Sequence, residues 1–247
     1  LKSAIDDPDL WAQEYEVQFL DEATAFITYD MINEVESDKA TINGDSPDST
    51  AVPVNLGQSP GYCGPVYAGM DIGRRRDLTV IWVLELVGDV LWTREVVAML
   101  RASFTSQEQE IDRIWKQYHP MRLCMDQTGM GEKFVEDLQK KYSSSVEGVL
   151  FSSPVKLDLA NTLRRKFEDK QIRIPIMREI RDDIHSVKKI TTSAGNIRFD
   201  AERSENSHAD RFWALALATH AASNPCGPIE FETAGKGRAF TKMGGYV

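Results

Sequence analysis

Three aspartates stand where chemistry could gather: Asp71 in Met70-Asp71-Ile72-Gly73, Asp126 in Cys124-Met125-Asp126-Gln127-Thr128-Gly129, and Asp210 in His208-Ala209-Asp210-Arg211-Phe212-Trp213-Ala214. The first two close apolar runs that read as strands, and the third opens an alanine-rich helix. A parallel sheet can bring strand ends together, and carboxylates so gathered repel one another unless a cation lies between them. Oxygen ligands supplied singly, with room left for water and phosphate, suit Mg2+ or Mn2+ rather than zinc. The chemistry expected of such a cluster is phosphodiester hydrolysis assisted by two ions.

Each residue also has an ordinary reading. Asp71 could close a strand at a turn, with Gly73 leaving space for backbone or phosphate to approach. Asp77 reads as a turn residue capping Arg74-Arg75-Arg76 and is kept outside the metal shell. Asp126 could make an Asx-type hydrogen bond where a strand turns into a helix. Asp210, three residues after Ser207, could be the acidic member of a helix capping box, a role compatible with binding a metal. His208 is either a neighbour of the cluster or a surface residue. Gly129 and Gly131 invite a phosphate-cradle reading, but Gly-x-x-x-x-Gly-Lys-Ser/Thr occurs nowhere, so no ATP site of that kind is expected.

The elements that must position these residues follow from periodicity and turn signals. Val66 to Ile72, Leu78 to Val87 and Val90 to Met99 read as strands, the last two joined by the two-residue turn Gly88-Asp89. Ser106 to Tyr118 reads as a helix with Ser106 and Gln109 spaced as a capping box. A short buried strand from Met121 to Asp126 leads through the glycine turn into a helix over about 132–142. Val146 to Phe151 is another strand. Ser153-Pro154 opens a helix with Val155, Leu159, Leu163 and Phe167 on one face. Ile172 to Ile174 is short and extended, Met177 to His185 is a short helix, and Val187 to Thr192 with Asn196 to Asp200 forms a second hairpin. Ser207 to Ala222 is the last helix. Three antiparallel strands followed by parallel strands with crossover helices describe an α/β fold, an RNase H-like mixed β-sheet flanked by helices.

Upstream, Trp11, Tyr15, Phe19, Ala23, Phe26 and Ile27 recur at helical spacing from Leu10 to Ile27, and Asp38 to Gly64 has the composition of a linker. Four parts are therefore expected: an amphipathic helical segment over 1–40, a linker over 41–64, the catalytic domain over 65–222 and a flexible tail over 223–247. The start on Leu1 rather than methionine reads as a piece of a longer protein. Cys63, Cys124 and Cys226 form no Cys-x-x-Cys, which argues against a disulfide framework or a zinc knuckle. With no apolar run of roughly 18 residues and no signal peptide, a soluble intracellular chain is expected.

The net charge of -9 disguises an uneven distribution. Residues 1–60 carry 13 acidic and 2 basic side chains, leaving 25 acidic and 27 basic in the rest. Arg164, Arg165, Lys166, Lys170, Arg173, Arg178, Arg181, Lys188 and Lys189 crowd one stretch, which is either a phosphate-facing surface or a solvated helix face.

The three motifs in order, Tyr67 to Gly73, Met125 to Gly131 and His208 to Ala218, resemble the nuclease half of phage terminase large subunits, above all the Mu-like branch, over roughly residues 60 to 222. Asp-Leu-Trp-Ala-Gln-Glu-Tyr-Glu near the start resembles the segment that follows the ATPase domain in those proteins. The resemblance implies a Mg2+- or Mn2+-dependent endodeoxyribonuclease that cuts concatemeric double-stranded DNA during genome packaging in the host cytoplasm. It carries Asp71, Asp126 and Asp210 over as the metal-binding triad, with Asp71 bridging two ions and the others completing one ion each. Lys156, Lys188 and Lys189 are candidate phosphate contacts. The implied partners are double-stranded DNA, the ATPase domain of the same full-length protein, a small terminase subunit and the portal of the procapsid, with no membrane. A Holliday-junction resolvase, a transposase, an RNase H proper and a non-catalytic portal-docking module are the alternatives, because fold and acidic triad alone do not fix a substrate.

Overall fold

The computed structural model describes residues 25–44, 62–73, 78–129, 131–191, 197–201 and 209–223. All six residues of β1 (Val66–Asp71) are buried, as befits a strand deep in a sheet covered on both faces. It pairs antiparallel with β2 (Leu78–Val87) and parallel with β4 (Arg122–Asp126). With β3 (Val90–Leu100), β5 (Val146–Val149) and β6 (Ile172–Arg173), the strands run in the order β5-β4-β1-β2-β3-β6. This is the mixed sheet expected from the sequence. A separate antiparallel hairpin consists of β7 (Val187–Thr191) and β8 (Ile197–Ala201).

Alternation along the central strands sorts the core into two layers. Ala68, Met70, Leu123 and Met125 face one apolar cluster with Ile111 and Ile114 of α2 (Phe104–Tyr118) and Phe134 and Leu138 of α3 (Gly131–Tyr142). Tyr67, Trp82 and Cys124 face the other, with Leu159, Leu163 and Phe167 of α4 (Ser153–Glu168) and most of α6 (Asp210–Ser223). Helix α6 is buried on nearly every side from Phe212 to Ala221, so it shows none of the polar face a surface helix needs. It can sit that deep because Gly69 has no side chain. A Cβ at Gly69 would lie 2.1 Å from the Ala218 amide nitrogen and 2.3 Å from the Ala214 carbonyl oxygen. Backbone therefore meets backbone where α6 crosses β1, as the alanines of the third motif lead one to expect.

Three local readings are revised. Helix α2 starts a turn early: Ser103, not Ser106, caps it, its Oγ accepting the Ser106 N–H at 3.1 Å. Helix α6 begins at Asp210, so Asp210 occupies its first position rather than the third of a capping box, and Ser207 and His208 lie outside the described residues. The helical reading from Leu10 to Ile27 does not hold over 25–27, and its earlier part lies outside the described residues. Ala25 bridges to Lys188, and the Phe26 N–H donates to the Val187 carbonyl at 2.8 Å, so 25–27 form a bridge and a bend rather than helix. Thr28 then caps a new helix, α1 (Tyr29–Val35), its hydroxyl accepting the Met31 N–H.

Residues beyond α1 follow the sheet instead of leaving it. Ser37 N–H donates to the Ile174 carbonyl, Thr41 N–H donates to the Thr93 carbonyl, and Asn43 bridges to Glu95. Phe26, Ile27, Ile32 and Val35 belong to the same core cluster as α6. Trp11, Tyr15, Phe19, Asp77 and the tail from Asn224 lie outside the described residues. Among the described residues, no helix is long and apolar enough to cross a membrane.

Candidate metal centre

The register of β1 and β4 brings the first two aspartates level. Met70 pairs with Met125 across two parallel strands, so Asp71 and Asp126 emerge from adjacent strand ends on one edge of the sheet. Alternation places both on the face that carries α6, whose first residue is Asp210. Asp71 is 9 % exposed and Asp210 is 7 % exposed. Burial pushes the Asp71 carboxyl well above the ordinary carboxylate range, and the charges of Asp210, Asp126 and Asp183 push it further. Lys156 opposes them. The other two sequence-derived aspartates thus lie near enough for their charges to act on Asp71, as do those of Asp183 and Lys156.

Asp126 is held rigidly. Its Oδ1 accepts both the Thr128 N–H at 2.8 Å and the Thr128 hydroxyl at 2.6 Å. The Thr128 hydroxyl in turn accepts the Phe151 N–H at 3.1 Å. The Asx turn and the site are therefore the same structure: the turn occupies Oδ1 and fixes the direction of the other oxygen. Gly131 lets the following helix start beneath it, since a Cβ there would lie 2.6 Å from the Asp126 carbonyl oxygen.

Asp183, on α5 (Arg178–His185), was not singled out from sequence. Its neighbours Arg181 and Asp182 make the stretch look like a solvated charged helix. The one available signal is that Ile180, Asp183 and Ile184 share a face at i, i+3 and i+4, and all three are buried. Its Oδ2 accepts the Arg211 N–H at 3.1 Å and an Arg211 guanidinium N–H at 3.4 Å.

Lys156, in the first turn of α4, is the lysine that the structure brings to the cluster. Its Nζ lies 4.9 Å from the centre of the Phe151 ring and 4.5 Å from that of Trp213, a cation held over two aromatic faces. Lys188 and Lys189 lie on β7, and neither is among the charges that act most strongly on Asp71.

Whether these residues suit a metal is decided by the donors themselves. Asp71, Asp126 and Asp210 offer oxygens only, the set that hard divalent ions prefer. Among the described residues, no hydrogen bond or ion pair is made to the Asp71 carboxylate. A buried carboxylate surrounded by its own kind loses its proton readily only when a cation replaces the missing partners. The donor set fits a divalent ion.

A different cluster, Cys124, Glu147 and His220, has donor atoms within 4.8 Å of one another. Here the buried Arg122 guanidinium already pairs with Glu147. A fixed positive charge against the one carboxylate works against a divalent ion, and burial pushes the Cys124 thiol up to about 12. We read this cluster as an Arg122–Glu147 ion pair between β4 and β5, with His220 of α6 beside it.

Comparison with known proteins places the chain in a family. Residues 68–222 match the family described as the terminase RNaseH-like domain, a span that includes all three aspartates. The terminase large subunit of Thermus phage G20c is 26% identical over 157 residues, which is 64% of this chain and 31% of the relative. The chain thus corresponds to about a third of the length of the curated relatives it matches. Among solved structures, the large terminase nuclease from phage G20c superposes with a TM-score of 0.63 at 20% identity, covering 80% of this chain and 98% of that one. The same nuclease with bound magnesium gives a TM-score of 0.64. The large terminase of bacteriophage HK97 gives 0.55 at 14% identity, covering 80% of this chain and 43% of that one. The sheet and its helices are those of an RNase H-like terminase nuclease fold.

Proposed function

Because the chain belongs to the terminase RNase H-like domain family, we propose that it is the DNA-cutting part of a phage packaging enzyme, an endonuclease that hydrolyses double-stranded DNA with Mg2+ or Mn2+. One observation carries the reading: Asp71, Asp126 and Asp210 converge at one sheet edge, with Asp71 buried among like charges. Two ions bound there would supply an activated water and stabilise the departing 3′ oxygen.

The chain's own residues do the rest. Asp71, whose carboxyl faces the charges of both other aspartates, would hold both ions, and Asp126 and Asp210 would hold one each. Thr128 keeps Asp126 from rotating away by engaging its Oδ1 twice. Lys156, braced against Phe151 and Trp213, presents a positive charge to a phosphate arriving at the carboxylates. Contacts to phosphate rather than to base edges give cleavage with little sequence preference. In the full-length protein the ATPase domain, a small terminase subunit and the portal would bring DNA to this site.

The test is supercoiled plasmid incubated with the folded chain and millimolar Mn2+ or Mg2+. Nicking followed by linearisation, abolished by chelation, is expected. Intact plasmid at high concentrations of folded protein would overturn the proposal, and preferential cutting of four-way junctions or RNA–DNA hybrids would reassign the substrate.

A further inference from the structure

Helix α6 lacks a cap from the residue that precedes it. Ala209 has no side-chain acceptor, and its φ of 64° lies in the left-handed region, where a non-glycine residue is strained. The first N–H groups of a helix find no partner within it. Asp183 supplies one from another helix, its Oδ2 accepting the Arg211 N–H at 3.1 Å and the Arg211 guanidinium at 3.4 Å. The Asp183 side chain is 2 % exposed and that of Arg211 is 17 % exposed, so water competes little for this contact. On the other side, the Trp213 N–H closes the first turn on the Ala209 carbonyl at 3.0 Å. Asp210 therefore lies between a strained residue and a clamped one.

We propose that Asp183 is a positioning residue for the metal centre: from α5 it caps α6 and clamps Arg211, and so fixes the backbone that presents the Asp210 carboxylate. The proposal rests on Asp210 being a metal ligand, as argued above. The engaged oxygen of Asp183 already serves two donors, so its primary work is on the helix, with the ion reached through Asp210. Strain at Ala209 gives the clamp its purpose. Without an external acceptor, the first turn can relax toward an unstrained conformation and carry Asp210 with it.

The experiment compares Asp183→Ala and Asp183→Asn with the wild-type chain. Mn2+ affinity is measured by calorimetry, plasmid cleavage as a function of Mn2+ concentration, and amide hydrogen exchange over residues 210–213 in metal-free protein. Asp183→Ala should weaken Mn2+ binding about 10- to 100-fold, the usual effect of losing a residue that orients a ligand. Cleavage should recover at saturating Mn2+ with the KM for DNA unmoved, and exchange at 210–213 should accelerate. Asp183→Asn keeps an oxygen for the Arg211 N–H and should lose less on every measure. Wild-type Mn2+ affinity in a folded Asp183→Ala chain would overturn the proposal. So would an Asp183→Asn chain that exchanges normally yet stays inactive at saturating Mn2+, since that pattern belongs to a direct ligand. If Asp183→Ala does not fold, Asp183→Asn decides by the same measures. A wild-type chain that binds no Mn2+ would remove the metal-centre reading and this proposal with it, an outcome distinct from any failure confined to the variants.

Discussion

Glu85 and Asp71 occupy neighbouring antiparallel strands and are almost equally hidden, at 1 % and 9 % exposed, yet their surroundings are opposite. Glu85 receives the Arg94 guanidinium at 2.6 Å, the Cys63 N–H at 2.6 Å and the Gly64 N–H at 2.9 Å. Asp71 faces Asp210, Asp126 and Asp183, with Lys156 as the opposing charge. A buried carboxylate with its donors in place is part of the framework. One placed among other carboxylates costs the fold stability, the pattern that marks a candidate binding site. Burial alone does not separate the two cases, and the partner set does.

The sharpest way to break this contrast is to neutralise each carboxylate in turn. Asp71→Asn should lower plasmid cleavage on the order of a thousandfold or more, about 4 kcal/mol of barrier, while leaving the protein folded by circular dichroism. A variant that cuts at wild-type rate would remove Asp71 from the chemistry. Glu85→Ala should do the reverse, destabilising the fold by about 3–5 kcal/mol through the buried, unpaired Arg94. Denaturant unfolding measures it, and a change below about 1 kcal/mol would show that Glu85 is not the framework residue described here.

A smaller effect tests the orientation of Asp126. Thr128→Ala removes one of the two hydrogen bonds to Oδ1 and frees the Phe151 N–H, so Mn2+ affinity should fall about 10- to 100-fold. Thr128→Ser, which keeps the hydroxyl, should restore most of it. Equal losses in both variants would point to packing by the Thr128 methyl instead.

The subtlest test is the pH dependence of metal-free stability. Asp71's pKa is raised in the fold, so its contribution is fully present below the ordinary carboxylate value of about 3.8 and is lost as pH rises through the raised one. Asp71→Asn, which cannot ionise, should therefore melt at a higher temperature than wild type near neutral pH, and the gain should shrink as the pH is lowered toward 4. Saturating Mn2+ should reverse the order at neutral pH, since the wild type alone keeps the full ligand set. A stability gain that persists unchanged into acid would show that charge repulsion at Asp71 is not its cause.

Much of this was legible in the chain before any coordinates. Local order is carried by neighbours in sequence, so the Gly88-Asp89 hairpin, the apolar face of α4 and the aspartates closing β1 and β4 could be read from spacing and turn chemistry. Small residues at 214 and 218 foretold the close approach of α6, and Gly69 completed it. The reading failed where a local signal had a rival nearby. Ser103, extended and two residues after the turn at Arg101, caps the helix by accepting the Ser106 N–H, so Ser106 falls within its first turn. Thr28 starts a helix of its own at Tyr29, where apolar spacing alone would have run one helix through to Ile27. Asp183 escaped because its role depends on α6, whose first turn lies 28 residues further along the chain.

By itself the sequence determined which groups exist and which end of each element they occupy: three aspartates at strand ends and a helix start, a lysine early in α4, and apolar strands to carry them. It could not assign partners. In sequence, Asp71 and Glu85 are each a lone acid in an apolar strand, and nothing adjacent to either says which will be neutralised. Only the tertiary structure brought Arg94 and the 63–64 amides to one, and Asp126, Asp210 and Asp183 to the other. The physical reason is that electrostatic energy depends on distance in space and on the water excluded between charges, and folding sets both by joining segments that the chain keeps far apart.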